Sequence, residues 1–435
     1  MESKTVEPKK FLFVSKEALI TDIAWCVIKE GHQVKYYIED EVDRDIGEGF
    51  VPKVDDWRPE VEWADVIVFD DVLGHGKIAE ELRKQGKAVI GGTAYTDKLE
   101  DERSFGQEEL KKHGIPIIPY SEFTSFDEAI NYVKQNPAKY VIKPSGEAQN
   151  KKGLLFVGQE DDGADVIRVL ESYKRTMQQH IAIIQLQRRI TGVEVAVGAF
   201  FNGKQFMTPI NINFEHKKLF PGNIGPSTGE MGTSMFWSMP NKLFNTTLKK
   251  IEKTLATEGY VGYIDLNCIV NGNGIYPLEF TSRFGYPTIF IQQEGILNTM
   301  GEFLHGMATG QMNEFRTKKG FQVGVRILVP PFPFGDQETF ESHSKGSTIV
   351  FKKHDENGVH IEDVKLINGE WVVAGSSGVI MVVVGTGSTM KDAQKQVYNR
   401  ISNILIPHMY YRTDIGDRWY EDSDRLHSWG YLREQ

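Results

Sequence analysis

The sequence predicts an α/β domain with a parallel sheet at the N-terminus, followed by a longer α+β region. Two observations predict this fold class: apolar runs alternate with helical patterns over the first hundred residues, and hairpin patterns dominate afterwards. A length of 435 residues is enough for roughly three domains of ordinary size. With 40% hydrophobic and 25% charged residues, the composition is that of folded domains, which excludes disorder for most of the chain.

The first hundred residues alternate between strand and helix patterns. An apolar strand is followed by an amphipathic helix and a second strand, and two further strands flank another helix. This alternation is typical of a parallel sheet with helices on its faces, so we expect a three-layer α/β domain over residues 1–98. The predicted elements are strand 11–14, a helix through 20–28, strand 34–38, strand 66–69, helix 78–85 and strand 88–90.

A polar stretch, 96–109, begins a second unit in which strands dominate. Alternating residues predict two β-hairpins, one joining 193–201 to 205–210 and the other joining 264–270 to 275–280. The last hundred residues predict three strands and a long helix. The remaining predicted elements are helix 108–113, strands 140–143, 154–157 and 181–186, strands 323–329, 348–351 and 379–384, and helix 390–404.

Charge and cysteine content exclude several classes of function. A formal net charge of −10 argues against broad nucleic-acid binding, which requires clustered Lys and Arg. No apolar stretch reaches the ~18 uninterrupted residues of a membrane span. Cys26 and Cys268 are too few for a disulfide framework and favour two buried thiols in a reducing compartment. We therefore expect a cytoplasmic protein that binds neither nucleic acid nor a membrane.

The hairpin at 264–281 is the most informative local pattern. Because side chains alternate along a strand, Asp265 and Asn267 share one face of the first strand, and Glu279 and Thr281 share one face of the second. Glu279 lies in an apolar run, where an ionised carboxylate is costly to bury unless it is paired or bound to a cation. The pattern fits oxygen ligands for Mg²⁺, and the alternative is an ion pair between Glu279 and Arg283.

Two further segments could bind anions. Lys143 ends a predicted strand and precedes a polar loop, so it could meet phosphate oxygens, although a solvated lysine in a plain hairpin fits the spacing too. The segment Gly225 to Gly232 could form an anion site from its amides and its Ser227 and Thr228 hydroxyls, or it could be a surface loop. His216 is expected to be an ordinary surface histidine.

Five ordered segments of the chain resemble the glycinamide ribonucleotide synthetase family of the ATP-grasp superfamily. The segment His216-Lys-Lys218 is followed by Gly225 to Gly232, which is similar to the family's GPNTGGMG, and the resemblance needs no gap between the two segments. Glu279 to Gly285 is similar to its EFNxRFG metal motif, and Tyr411 to Gly416 to its YRRDIG. The other matches are Gly114-Ile-Pro116 with Lys143 and the loop through Lys152-Gly153, and Ile190-Thr-Gly-Val-Glu194.

The resemblance implies an ATP-grasp domain over 99–320, with a mobile lid lobe at about 120–190, and a small C-terminal α+β domain over 321–435. It also implies an ATP-dependent ligase of purine biosynthesis, which joins phosphoribosylamine and glycine through an acyl phosphate with Mg²⁺ or Mn²⁺. Its partners would be small-molecule substrates, and it would be a monomer or homodimer. The alternatives are a divergent ligase that uses a different amine and a non-catalytic nucleotide-binding homologue.

The resemblance further implies roles for individual residues. Arg283 and Lys143 would serve catalysis, and Glu279, Asn267 and Thr281 would hold the metal. Nucleotide binding would fall to Arg103, Lys143, Lys152, Gln187, Arg189, Ile190 and Glu194. Substrate binding would fall to His216, Lys217, Gly225, Pro226, Ser227, Thr228, Gly229, Arg283 and Gly285.

The chain departs from the family at several places. Residues 15–24 lack the glycines of the N-terminal loop that receives a ribose phosphate, and Glu17 introduces a negative charge there. We therefore expect phosphoribosylamine to be a poor acceptor or to be held through Lys16. The other departures are Thr281 at the usual metal asparagine, Ser227 and Glu230 where asparagine and glycine are usual, and Gln107 where an ATP-binding lysine is usual.

Overall fold

A computed structural model describes residues 7–70, 74–145 and 154–435. Its N-terminal part is a four-stranded parallel sheet in the order β2-β1-β3-β4, with the first strand buried at residues 11–14 because it lies inside the sheet. This confirms the predicted α/β domain. Its elements are β1 (Lys10–Ser15), α1 (Thr21–Lys29), β2 (Gln33–Ile38), β3 (Val66–Phe69), α2 (Gly76–Lys84) and β4 (Val89–Ile90).

The polar stretch at 96–109 is helical. It forms most of α3 (Ala94–Asp101) and α4 (Arg103–Lys112), so the helix expected from 108 begins five residues earlier. Thr93 caps α3, because its hydroxyl accepts a hydrogen bond from the amide of Thr96. These two helices lie between the N-terminal sheet and the rest of the chain, where their side chains reach the site described below.

The next segment forms a lobe of its own, which we call the lid lobe. Its four strands make an antiparallel sheet in the order β5-β8-β6-β7, covered by two helices over a small separate core that includes Phe126, Ile142 and Leu186. The predicted loop through Lys152 and Gly153 lies outside the described residues. The elements are β5 (Tyr120–Phe123), α5 (Phe126–Gln135), β6 (Tyr140–Ser145), β7 (Phe156–Val157), α6 (Ala164–Thr176) and β8 (Ile183–Arg188).

An eight-stranded sheet in the order β13-β12-β9-β10-β11-β14-β19-β16 forms the centre of the molecule. The predicted hairpin of β12 and β13 is confirmed. The other hairpin is wrong in its second strand, since β9 pairs with residues 211–213, and in the 205–210 run only Phe206 bridges to β9, at Phe201. The strands are β9 (Val193–Asn202), β10 (Ile210–Phe220), β11 (Ile224–Ser238), β12 (Val261–Asn271), β13 (Gly274–Thr281), β14 (Phe321–Leu328), β16 (Val359–Ile361) and β19 (Val379–Gly387).

Helices and short strands cover this sheet. The helices are α7 (Lys242–Thr246), α8 (Glu252–Thr257), α9 (Thr288–Gly295), α10 (Met300–Ala308), α11 (Gln337–His343), α12 (Met390–Ile401) and α13 (Trp419–Ser428). Two small ladders join β15 (Val350–Phe351) to β20 (Ile404–Leu405) and β17 (Val364–Ile367) to β18 (Glu370–Val373). Over the described ranges, none of the helices is long and apolar enough to cross a bilayer.

Aromatic packing joins the N-terminal part to the C-terminal part. Trp25 of α1 lies edge-on to Phe50 and to Trp371 of β18, with ring centroids 4.7 and 5.8 Å away. The large sheet is also continuous across residues 320 and 321, because β11 pairs with β14. The expected boundaries at 98/99 and 320/321 stay predictions.

Candidate active site

A cavity of about 940 Å³ lies between the lid lobe and the large sheet. Strands β6 to β8 supply one wall, strands β10 to β13 supply the other, and α3 and α4 close one end. A cleft between two lobes is where ligand sites commonly form, because both walls can contribute side chains. Most of the residues predicted for the site line this cavity.

One end of the cavity is basic. Lys143 is only 9% exposed and, across the part of the chain that the structure describes, makes no ion pair. Burial and the nearby charge of Arg103 lower the pKa of Lys143 to about 8. Arg103 donates a hydrogen bond to the carbonyl of Pro144, 2.9 Å away. A buried, unpaired ammonium facing a cavity is suited to an anionic ligand.

Beside these charges the two walls form an apolar slot. Arg189 lies at its edge and donates to the carbonyl of Gly158 at 2.9 Å, which joins the end of β8 to the segment after β7. Gln107, at the place of the usual lysine, accepts a hydrogen bond from Gln185 at 3.2 Å. The slot is suited to a planar ring, and its side chains are Val141, Leu155, Val157, Ile190, Ile269 and Leu278, with Gln187 among them.

The hairpin of β12 and β13 brings its polar side chains together on the cavity wall. Asn267 pairs with Glu279, and Asp265 pairs with Thr281, so all four residues lie on the same face. Asn267 donates its amide to Glu194 at 3.0 Å. The donors that remain are carboxylate, amide and hydroxyl oxygens, which is the set that Mg²⁺ prefers, and substrate phosphates can complete it.

Glu279 differs from its prediction in two respects. Its side chain is 59% exposed to the cavity, so the apolar run in its sequence does not bury it. Its partner is Lys217, whose Nζ lies 3.1 Å from Oε1, and not Arg283. Arg283 is instead paired with Glu100 of α3, at 2.9 Å, so the alternative of a Glu279–Arg283 pair is wrong.

Lys217 is the centre of a group of carboxylates. It lies 3.4 Å from both Glu194 and Glu215, in addition to its contact with Glu279. Burial alone would lower the pKa of Lys217, but the three carboxylates outweigh it and hold that pKa well above the usual value. Lys217 lowers the pKa of Glu279 to about 2. Lys217 and Glu279 therefore stay ionised across the neutral range.

The segment expected to be a glycine-rich loop is part of strand β11. Ser227 pairs with Lys218 of β10, and the Thr228 hydroxyl donates to the carbonyl of Lys217 at 2.9 Å. Ser227, Thr228 and Gly229 line the cavity, whereas Gly225 and Pro226 lie outside its lining. Gly232 packs closely on β14, because an added Cβ would lie 2.5 Å from the Gly324 carbonyl.

His216 is the clearest error among the predicted site residues. It is 3% exposed, so it is not a surface histidine, and it does not line the cavity, because it alternates with Glu215 and Lys217 along β10. Burial, with the charges of Arg418 and Arg412, lowers the pKa of His216 to about 3. The ring is therefore neutral and belongs to the packing behind the sheet.

The C-terminal motif supports the cavity from behind. Arg412 is fully buried and contacts Asp414 through two of its nitrogens, at 2.8 and 2.7 Å, and the carbonyl of Lys218 at 2.8 Å. Arg418 donates to the backbone carbonyls of Glu194 and Glu215. Arg412 of the motif and Arg418, two residues beyond it, thus hold β9 and β10, the strands that carry Glu194, Glu215 and Lys217.

Sequence reasoning missed three acidic residues that line the cavity. Glu100, Glu215 and Glu230 all line the cavity, and none was among the predicted site residues. Glu215 could have been found, since the alternation that places Lys217 on this face also places Glu215 there. Arg283 and Gly285 line the cavity as expected, and Lys152 lies outside the described residues.

The end of the cavity that faces the N-terminal domain is acidic. Glu17, Asp97 and Asp101 line it. Behind them, Asp70 accepts a hydrogen bond from the Ser15 hydroxyl at 2.5 Å and from the Lys16 amide at 2.8 Å. The amide that follows strand β1, where the resemblance places a phosphate, is therefore bonded to a carboxylate. Lys16 itself lies 3.6 Å from Asp40 and does not line the cavity.

Comparison with known families matches two segments of the chain. The profile of the phosphoribosylglycinamide synthetase ATP-grasp (A) domain matches residues 101–289, and that of the phosphoribosylglycinamide synthetase C domain matches 341–418. Together they span more than half of the chain. A phosphoribosylamine–glycine ligase from Streptococcus pneumoniae (strain R6) is 25% identical over 357 residues, covering 80% of this chain and 82% of the relative. The phosphoribosylamine–glycine ligase of Streptococcus pyogenes serotype M1 is 24% identical over 368 residues, covering 82% of this chain and 84% of the relative.

Solved structures share the fold. A phosphoribosylamine–glycine ligase from Thermotoga maritima has a TM-score of 0.70 at 21% identity and covers 93% of this chain and 100% of its own. A biotin carboxylase domain from Hydrogenobacter thermophilus, solved with MgADP, has a TM-score of 0.62 at 13% identity. It covers 97% of this chain and 98% of its own. These likenesses confirm the predicted fold class. The chain belongs to the phosphoribosylglycinamide synthetase family of ATP-grasp proteins.

Proposed function

We propose that this chain is an ATP-dependent carboxylate–amine ligase that joins phosphoribosylamine and glycine to give glycinamide ribonucleotide, ADP and phosphate. One observation carries the proposal: a single cavity combines the buried cation Lys143, the oxygen donors Glu279 and Asn267, and the guanidinium of Arg283. Phosphoryl transfer needs the charge on the β- and γ-phosphates neutralised and the donor and acceptor held in line. The two substrates in this proposal are those that appear in the names of the relatives.

Each wall of the cavity has a part in this reaction. Lys143, Arg103 and Arg189 would hold the phosphates, while Gln187 to Ile190 and Glu194 would hold the nucleoside in the apolar slot. Glu279 and Asn267, with Thr281, would hold Mg²⁺ or Mn²⁺. The metal, when bound, supplies Lewis-acid neutralisation of the phosphate oxygens.

The chemistry runs in two steps. The carboxylate of the amino acid, held near Arg283, attacks the γ-phosphate of ATP and forms an acyl phosphate as ADP leaves. The amine then attacks the acyl carbon, and phosphate leaves to give the amide. Ser227, Thr228 and Gly229 of β11 would cover the acyl phosphate and exclude water, which otherwise hydrolyses it.

Binding of Mg-ATP tests the first part of the proposal. A ligand that binds only the native state stabilises it by RT ln(1 + [L]/Kd), about 2.7 kcal/mol at a hundredfold excess over Kd. Saturating Mg-ATP should therefore raise the melting temperature. An unchanged melting temperature, with no ADP binding by calorimetry, would contradict the assignment.

A second candidate function is ligation of the carboxylate to an amine without a phosphate. The backbone amide of Lys16, which follows β1, donates its hydrogen bond to Asp70, and Glu17 adds a negative charge at the same end of the cavity. Two unit charges about 4 Å apart at an effective dielectric near 20 repel by about 4 kcal/mol. A ribose phosphate bound there would meet this repulsion, whereas a cationic amine would be attracted.

Steady-state kinetics separate the two candidates. A kcat/KM with phosphoribosylamine and glycine of about 10⁴ M⁻¹s⁻¹ or more is typical of biosynthetic enzymes and would establish the first candidate. If Lys16→Ala leaves that value unchanged, Lys16 does not hold the phosphate. Slow turnover, with faster ADP release for an amine that lacks phosphate, would establish the second candidate.

A further inference from the structure

Three carboxylates form an acidic floor in the cavity, which we define as Glu215 of β10, Glu230 of β11 and Asp265 of β12. Glu230 is 7% exposed and Asp265 is 2% exposed. Within the described residues, Oε1 of Glu230 and Oδ1 of Asp265 are buried and accept no hydrogen bond. A buried acceptor without a donor is destabilising, so the floor is incomplete without a ligand that donates to it.

The neighbouring cations form their ion pairs with carboxylates other than Glu230 and Asp265. Lys217 contacts Glu194, Glu215 and Glu279. Arg283 is paired with Glu100, 2.9 Å away.

Arg326 is engaged in the same way. It donates to the backbone carbonyl of Glu230 at 3.2 Å and to the carboxylate of Glu362 at 3.0 Å. Because these contacts leave the carboxylate oxygens Oε1 of Glu230 and Oδ1 of Asp265 without a donor, the structure has positions for a positive group that the protein itself does not supply.

The charge of the floor depends on what binds there. Burial, together with Glu215 and Asp265, raises the pKa of Glu230 well above its usual value. A bound cation with N–H donors would both neutralise these carboxylates and satisfy their oxygens.

An ammonium group fits the floor better than a metal ion does. No three acidic, histidine or cysteine side chains in the described ranges converge closely enough to hold a metal. An ammonium group has three donors that can be shared among separate acceptors, so it does not need such tight convergence. Arg283 and Asp265 line the same cavity, so a guanidinium that can bind a carboxylate shares the cavity with the floor.

We propose that Glu230 and Asp265 bind the ammonium group of an amino acid whose carboxylate is held at Arg283. The inference rests on the proposed function for the carboxylate and adds the subsite that selects an amino acid over a plain carboxylic acid. Glu230 stands where the resembled motif has glycine, so this contact is a feature of the present chain.

Matched pairs of ligands test the ammonium site. Glycine, β-alanine and 4-aminobutyrate are titrated by calorimetry against acetate, propionate and butyrate, which lack only the amino group, in the presence of Mg²⁺ and a non-hydrolysable ATP analogue. We expect at least one amino acid to bind about tenfold more tightly than its partner, since a charge-assisted hydrogen bond is lost without the amino group. Equal affinity within every pair, or no binding of any amino acid, would overturn the proposal.

Variants identify the residues. Glu230→Gln and Asp265→Asn should each weaken binding of that amino acid about tenfold and leave its amino-free partner unchanged, whereas exposed Glu160, changed to Gln, should alter neither. If both floor variants bind the amino acid like the wild type while still binding the nucleotide, the assignment is wrong.

The two proposals fail differently. If the amino acid binds with the expected preference but ADP is never released with any amine, the ligase proposal fails and the ammonium site stands. If glycine and phosphoribosylamine turn over equally well in wild type and Glu230→Gln, the ligase proposal stands and the ammonium site fails.

Discussion

The two ends of the cavity differ in charge and in how they relate to the family. At the lid-lobe end, Arg103, Lys143 and Arg189 lie within the segment that matches the family profile, 101–289. At the other end, Glu17 and Asp97 of the lining lie outside both matched segments, as does Asp70 behind them, while Asp101 is the first matched residue. The basic end has the composition of a phosphate site, and the acidic end does not.

This difference indicates that the proposed phosphoryl-transfer residues and the proposed acceptor site lie on separate parts of the chain. The first would use strands β6, β12 and β13, while the second would use the turn after β1 together with α3. A change in the acceptor site can therefore leave the ATP chemistry intact. The following experiments probe the middle, the basic end and the acidic end of the cavity, and the contact that holds the acidic end in place.

The largest effect is expected from Glu279→Gln at the middle of the cavity. The amide nearly conserves volume but removes the charge that faces Lys217 and that would hold the metal. We expect kcat for ADP release to fall by at least roughly a hundredfold, by analogy with the loss of one electrostatic stabiliser. Exposed Glu421, changed to Gln, is the matched control and should keep the wild-type rate. A wild-type kcat in Glu279→Gln would show that Glu279 does not hold the metal.

The basic end should respond to pH through Lys143. The pKa of Lys143 in the empty cavity is about 8, so the side chain is charged below that value and loses its charge as pH rises through it. We expect the Kd of ATP to increase by up to about tenfold for each pH unit above 8. In Lys143→Arg the guanidinium keeps its charge, and the profile should stay flat to about pH 10. Equal profiles for the two proteins would show that another group controls the dependence.

At the acidic end, Glu17→Gln should favour a phosphate-bearing amine. The variant removes one negative charge from the cavity lining, and because Glu17 is exposed the effect is reduced by solvent screening. We expect kcat/KM for phosphoribosylamine to rise roughly threefold, with the KM for ATP unchanged. A decrease would show that the carboxylate attracts the amine more than it repels the phosphate.

The smallest effect concerns His360, which ties α1 to the large sheet. Its Nδ1 lies 2.7 Å from Asp22 of α1, and its Nε2 lies 3.5 Å from Glu294 of α9. Burial alone would lower the pKa of His360, but Asp22 and Glu294 outweigh it and raise the pKa to about 9.

The stabilisation from His360 is therefore complete below about pH 6.5 and is lost as pH rises through 9. We expect His360→Asn to lower the melting temperature by a few degrees at pH 7, since a shift of this size corresponds to about 3 kcal/mol at most. The difference from wild type should close by pH 10. A difference that is constant from pH 6 to 10 would show that the loss comes from packing against Phe290 instead.

Local pattern was sufficient for most of the fold. Strands β1, β3, β12 and β13 lie where apolar runs and alternation placed them, because burial on one or both faces leaves a direct periodic signal. The errors fell where a long-range partner decided the structure. Residues 225–232 resemble a loop in sequence, yet they extend β11, because this segment pairs with β10 at Ser227 and Gly232, and β14 pairs with the strand from Gly232 onward.

The site shows the same division. Alternation alone placed Asp265, Asn267, Glu279 and Thr281 on one wall, since side chains two residues apart on a strand share a face and register sets their partners. The pairing of Glu100 with Arg283 could not be predicted from the sequence. The two residues are 183 positions apart, and an ion pair depends on their distance in space.

The sequence was sufficient for the N-terminal alternation of strands and helices, for the hairpin of β12 and β13, for the net charge, and for the motifs that relate the chain to a family. The tertiary structure alone decided which carboxylates are paired and which are buried without a donor. His216 became a neutral packing residue and Glu230 a cavity residue through that folding. The physical reason is that burial and charge pairing depend on which side chains approach one another across the whole chain, and neither local periodicity nor spacing records that.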